Sequence, residues 1–237
     1  LFSKPEWKRG DFLMTTIYYK LVGLAGEALY GKGTWDLPKN GRPGKPWRVR
    51  GPLEYYKNGI HAVRREHLVK WLGPRIFTFQ YVGDEILEAD DKVLGREGFL
   101  MREFEAWNER SARLFAADCA ERVLHFFEAK HPNDMRPREA IEAARQFARG
   151  EIDAAALLMA WVAAWVAAWE AAESTVGVSA RSAARAVARS AVGLAAWDTA
   201  QSTARGAAQL AAESAAAERA WQTERLFDYL EGRITCS

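Results

Sequence analysis

Five carboxylates crowd one short stretch of the chain: Asp84, Glu85, Glu88, Asp90 and Asp91. Two carboxyl groups held about 5–9 Å apart can serve as acid and base on a glycoside. A side chain used in that way needs a pKa displaced by burial or by a neighbouring charge. If residues 84–89 form a strand, alternation sets Asp84, Ile86 and Glu88 on one face and Glu85, Leu87 and Ala89 on the other. Glu85 then shares the face of Leu87 and is expected to be half-buried, while Glu88 leans toward any cleft. His61, on an extended segment after the Asn58-Gly59 turn, is the best placed of the four histidines. Glu85, Glu88 and His61 are therefore the catalytic set of a hydrolase reading, possible substrates being glycosides. The plainer reading makes the acids a solvated turn and the histidine a hydrogen-bonded structural group.

A second kind of chemistry is written in residues 31–51, GKGTWDLPKNGRPGKPWRVRG. Trp35, Arg42, Lys45, Trp47 and Arg48 interleave cations with aromatic rings, as a binding loop for phosphates or stacked bases does. The glycines there match no phosphate-loop or dinucleotide spacing, so an ordinary solvated loop competes with it, and no cofactor is expected. No HExxH and no CxxC occurs, and no metal site is expected. There is no GxSxG, and Cys119 has no activating base on its own helix face. The two cysteines, Cys119 and Cys236, suit free thiols in a reducing cytoplasm.

Composition narrows the classes. A formal charge of +2 does not announce a nucleic-acid binder, and 49% hydrophobic residues can fill a sizeable core. The longest uncharged run, 154–169, is shorter than the about 18–20 apolar residues of a membrane span and is rich in alanine, so a buried helix is expected. Lys4, Glu6, Lys8, Arg9 and Asp11 stand where a secretory signal would be apolar. "MTTIYYKLV" from Met14 reads as a bacterial opening, and the codons for Lys8-Arg9-Gly10-Asp11 can resemble a ribosome-binding site. Residues 1–13 are accordingly expected to be translated upstream sequence or a cloning remnant.

The elements that must position these residues follow from local patterns. Residues 17–22, 60–63 and 75–82 read as strands from their β-branched and aromatic content, and 65–72 as a short amphipathic helix ended by Gly73-Pro74. Residues 27–30 can return beside the first strand. Residues 85–89 are expected to pair with the 75–82 strand as a hairpin, with a further short strand at 92–94. Residues 100–107 lead into helices. This gives a β-rich module of five or six strands over residues 14–100.

Residues 101–237 form the helical part. Phe115, Ala116, Cys119, Ala120, Val123, Leu124 and Phe127 cover one half of a helix, and Asp118, Glu121, Arg122 and His125 the other, solvated half. His131-Pro132-Asn133-Asp134 turns the chain, Pro137 suits a first helical position, and Gly150 can end the second helix in the left-handed region. Asp153 can cap the next, in which Trp161, Trp165 and Trp169 form a stripe expected in the core. A further helix through 179–191 carries Arg181, Arg185 and Arg189, and the last ends at Gly232. Alanine dominates throughout, which suits close helix packing with tryptophans as fillers.

The phrases AADCAERVL, RPREAIEAARQFARGEI and ERAWQTERLFDYLEG resemble the Imm-five-like immunity proteins, found beside bacterial polymorphic toxins. The resemblance covers about residues 108–232 and implies an all-helical domain with a protein partner such as a toxin. The fold expected is α+β, a small β-rich module followed by an Ala-rich helical bundle. The function expected is non-catalytic recognition of a protein in the cytoplasm, without nucleic acid or membrane. The alternative is the hydrolase, with an acid/His pocket where the two modules meet.

Overall fold

The computed structural model describes residues 16–29, 31–173, 196–210 and 215–234. The extension 1–13, Tyr30 and the arginine-bearing helix expected over 179–191 lie outside the described residues, as does the side chain of Trp169.

The architecture is α+β. Strand β1 (Tyr18–Val22) pairs antiparallel with β4 (Arg75–Tyr81), Tyr18 standing opposite Phe79. On the other edge of β4 lies β7 (Glu97–Glu103), and β2 (Trp47–Arg48) completes the sheet in the order β1-β4-β7-β2. A second sheet has the order β3-β6-β5, from Ile60–Ala62, Val93–Gly95 and Ile86–Glu88. Between the sheets lie Tyr18, Val22, Trp35, Ile60, Phe77, Phe79, Tyr81 and Leu100. The Tyr81 hydroxyl, on β4, is 2.8 Å from the carbonyl oxygens of both Ile60 and Val93, so its one proton ties the first sheet to either strand of the second.

Two expectations are corrected here. The 85–89 segment does not pair with β4; β5 pairs with β6, and β4 lies between β1 and β7. Residues 100–107 do not simply lead into a helix, because 97–103 is a full strand. Its alternation is masked in sequence because Gly98, Phe99 and Leu100 are buried in succession, as in a strand covered on both faces. Gly98 permits that position: a Cβ there would lie 2.3 Å from the Phe79 ring.

Asn108 and Ser111 start helix α1 (Glu109–Glu128) with a reciprocal cap, each side chain accepting the other's backbone N–H at 3.2 and 2.8 Å. Helix α2 (Arg136–Arg149) has Pro137 in its first turn and ends at Gly150, whose φ is 77°. The Asp153 carboxylate accepts the Ala156 N–H at 2.8 Å and starts α3 (Ala154–Glu173). Helices α4 (Ala196–Leu210) and α5 (Ala215–Leu230) complete the bundle. α1 is its centre, touching α2, α4 and α5, while α3 packs on α2.

Sheet and bundle share one core. Tyr19, Leu68, Leu72, Ile76, Phe104 and Trp107 join Phe115, Cys119, Leu226, Phe227 and Leu230 in a single buried cluster. The rings of Tyr19 and Phe227 meet edge to face, their centres 5.2 Å apart. The short helix expected at 65–72 is a 3-10 turn, Arg65–Lys70, wedged against α5.

On α1 the polar half departs from expectation at one residue. Asp118 is buried, although Arg122 and His125 on the same half are exposed. Its carboxylate accepts from Arg145 of α2 at 3.0 Å, and from Arg225 and the Tyr229 hydroxyl of α5 at 2.7 Å each. Burial works against the Arg145 charge, but its bonds to Glu121 and Asp118 outweigh that and raise its pKa. Removing one member of such a group strands the others. Asp118→Ala should therefore cost about 3–5 kcal/mol in urea denaturation, and Asp118→Asn clearly less. A loss below about 1 kcal/mol for Asp118→Ala would show that the clamp is incidental.

Candidate functional site

The β-rich module holds a pocket of about 530 Å³. β1 contributes Lys20 to it, and β3 contributes Ile60, His61 and Ala62. Trp35 and Trp47 come from the irregular stretch, Tyr56 to Gly59 from a turn, Trp71 from the end of the 3-10 helix, and Lys92 from the start of β6. No aspartate or glutamate is among the described residues that line it.

Local rules set these walls. Gly33 has φ 108°, and a Cβ on it would meet the Trp47 ring at 2.1 Å, so glycine there lets the indole lie flat on the loop. That ring centre is 4.9 Å from Trp35, whose own ring meets Phe79 edge to face. The Asn58 amide donates to the carbonyls of Arg50 and Pro52 at 2.8 and 2.7 Å, which folds the 50–58 loop onto the pocket rim. Tyr56 at that rim has φ 65°, a left-handed conformation that a tyrosine adopts only at a cost.

The electrostatics are one-sided. The Lys20 ammonium donates to the His61 carbonyl at 2.5 Å and lies 5.4 Å from the Trp35 ring. Burial lowers its pKa to about 8. Although the side chain keeps some surface toward the cavity, protein atoms crowd the ammonium itself. Lys92 is only 7% exposed, and its ammonium faces the rings of Tyr56 and Trp71 at 4.0 and 4.7 Å. Burial, then the charges of Lys20 and Lys92, push His61 down to about 4, so its ring is neutral at physiological pH. The His61 Nε2 and Trp35 Nε1 atoms are buried without a hydrogen-bond partner among the described residues.

Of the residues singled out from sequence, His61, Trp35 and Trp47 are brought together here. Arg42, Lys45 and Arg48 are exposed and are not part of the wall. Arg48 pairs with Glu97 at 3.2 Å, and the Lys45 N–H donates to Asp36 at 2.7 Å. Glu85 was expected to be half-buried, but its side chain is 57% exposed. Arg96 binds it through two nitrogens and holds its carboxyl below the usual range, away from that of a proton-donating acid. Glu88 is also exposed and pairs with Arg64. Neither acid lines the pocket with His61, which lies inside the β-rich module rather than between the modules. Lys20, Tyr56, Trp71 and Lys92 were not singled out. One signal was present, a lysine within the apolar strand YYKLV; Lys92 opens the short strand expected at 92–94, but beside Asp90-Asp91 nothing in its neighbours points to burial.

Among the described residues no group of three or more histidines, cysteines, aspartates and glutamates could hold a metal ion, and no helix is long and apolar enough to cross a membrane. Cys119 is fully buried, and burial raises its thiol pKa well above the ordinary value, which makes it a poor nucleophile.

Residues 102–229, from the end of β7 through nearly all of α5, match the profile of a family described as Imm-5 like putative immunity protein. No curated protein and no solved structure shows significant similarity to the chain. The pocket lies outside the matched span.

Both pocket shifts predict how stability responds to pH. His61 falls from 6.5 to about 4 on folding, so between those values the unfolded chain binds more protons and stability rises with pH. His61→Phe should reduce the acid-side loss between pH 6.5 and 4 in denaturant titrations. Lys20 falls from 10.5 to about 8, so its charge is unfavourable at neutral pH and is relieved as pH rises through that window. Lys20→Met should raise the denaturation midpoint at pH 7 and narrow the difference between pH 7 and 10. Unchanged pH profiles in both variants would contradict this account of the pocket.

Proposed function

The chain belongs to the Imm-5 like immunity protein family, and from that premise we propose that it is an immunity-type protein whose helical part recognises a protein toxin. The observation that carries this reading is the outer face of α3. That helix is apolar nearly all round, a pattern that normally marks a fully buried helix. Leu157, Ala160, Trp161 and Ala164 pack toward α1 and α2. Leu158, Met159, Val162, Trp165 and Val166 fall on the opposite arc and are 40–69% exposed. Their spacing makes one contiguous stripe along the helix. An exposed apolar stripe of this kind suits the buried centre of a protein interface.

The tryptophan stripe is thus corrected in part. Trp161 is half-buried against the bundle, but Trp165 is exposed. The reason is geometric: each four-residue step overshoots a full turn by about 40°, so an i, i+4 row drifts around the helix. From Trp161 the row leaves the core edge and arrives on the outer face at Trp165.

Co-expression with toxin domains encoded in the same genome tests the reading. One of them should have its growth arrest relieved by this chain, and Met159→Asp or Val162→Asp should abolish that relief by weakening binding about 100-fold or more. Trp165→Ala should shift Tm by no more than about 3 °C while weakening the same complex. Arrest that no such toxin loses, or protection that survives all three substitutions, would contradict the proposal.

A further inference from the structure

Two lysines largely withdrawn from water, Lys20 and Lys92, line the pocket of the β-rich module, and neither has a carboxylate partner among the described residues. A charge withdrawn from water is costly unless it is paired. The polar partner of Lys20 is a backbone carbonyl, and Lys92 rests on two aromatic rings. Both lie near enough to His61 for their charges to act on its ring, so the two cations serve one region of the cavity. Lys32 and Lys57 add cations to the lining, Lys57 already bound to Glu54. The Trp35 N–H adds a buried donor without an acceptor among the described residues. Lys20, Lys92 and Trp35 thus line a pocket that has no acid among its described residues.

The walls limit the shape of what can enter. Trp35, Trp47, Tyr56 and Trp71 give the pocket flat, apolar surfaces, and about 530 Å³ is room for a small organic molecule but not for a folded chain. Tyr56, held in the left-handed region and 81% exposed, stands at the rim above Lys92. A backbone conformation of that kind at a ligand-sized opening is where strain is commonly kept for binding.

We propose that this pocket binds a small organic anion built on a flat ring, its carboxylate or phosphate lodged at Lys20 and Lys92 and its ring against Trp35 and Trp47. The anion supplies the charge both lysines lack and an acceptor for the Trp35 N–H. Bonds between an ammonium and an ionised acceptor are roughly twice as strong as neutral ones. The ring covers the part of the half-buried Trp47 that otherwise faces water. His61, neutral at physiological pH, takes part as a hydrogen-bonding group and not as a charge. Every residue named lies between positions 20 and 92, outside the family match, so the inference stands apart from recognition of a toxin.

Calorimetric titration of the full chain tests it with five probes. 2-Naphthoate and 5′-AMP carry a ring and an anion; 2-naphthalenemethanol and adenosine carry the same rings without the anion; inorganic phosphate is the anion alone. At least one ring-bearing anion should bind at a single site, about 10-fold or more tighter than its uncharged counterpart and than inorganic phosphate. Which of the two binds distinguishes a carboxylate from a phosphate ligand. Lys20→Met and Lys92→Met should each weaken that binding about 10-fold or more. Each removes a buried charge and should keep the fold, as far-ultraviolet circular dichroism would verify; if one fails to fold, the other carries the test. The proposal is overturned if neither ring-bearing anion saturates below about 1 mM. It is equally overturned if an uncharged ring or bare phosphate binds as well, or if a folded lysine variant binds unchanged.

Discussion

The carboxylate of Asp118 organises the helical part of this protein. It lies inside the bundle on α1 and is reached by Arg145 from α2 and by Arg225 and Tyr229 from α5. A buried charge tolerates little freedom in its partners, so α1, its neighbour α2 and the sequence-distant α5 must meet at one register. Small residues on α1 let the others come close: Ala112, Ala116 and Ala120 are fully buried beside Phe115 and Phe127. The apolar contacts supply most of the stabilisation, and the carboxylate selects among the ways alanine-rich helices could slide past one another.

From this centre the structure extends in two directions. Toward the sheet, Phe227 and Leu230 of α5 meet Tyr19, Leu68 and Ile76, so the family-matched helices and the β-rich module are packed through one core. Toward solvent, α2 carries α3, whose outer arc remains apolar and exposed. The core-facing side of α3 is explained by packing within the chain; its outer side is the face proposed for a partner. The pocket belongs to the β-rich module. Its lysines and aromatic rings are held by strand pairing and a glycine-rich loop, and the bundle contributes none of its described lining.

Much of the fold is legible from local chemistry. Pro137 in a first turn, Gly150 after a last one and Asp153 before α3 act within a few residues, and each pattern points to its element. β1, β3 and β4 declare themselves through composition. What escapes a linear reading depends on distant partners. β7 hides because both of its faces are covered, and β5 pairs with the short β6 after it rather than with the long β4 before it. Asp118 resembles a surface acid until α5, more than a hundred residues away, brings Arg225 and Tyr229 to it. The pocket was half visible: Trp35, Trp47 and His61 stand out by type, whereas Lys20 and Lys92 gain their meaning from burial.

The central claim is that the outer face of α3 meets a protein partner. Oxidative footprinting of the chain, alone and with a toxin domain whose growth arrest it is found to relieve, measures this directly at Met159 and Trp165. Both side chains are exposed in the free protein and oxidise readily in solution. The account predicts that complex formation lowers oxidation of both several-fold, with Tyr56 at the distant pocket rim unaffected. Full oxidation of Met159 and Trp165 in a complex that has demonstrably formed would contradict it.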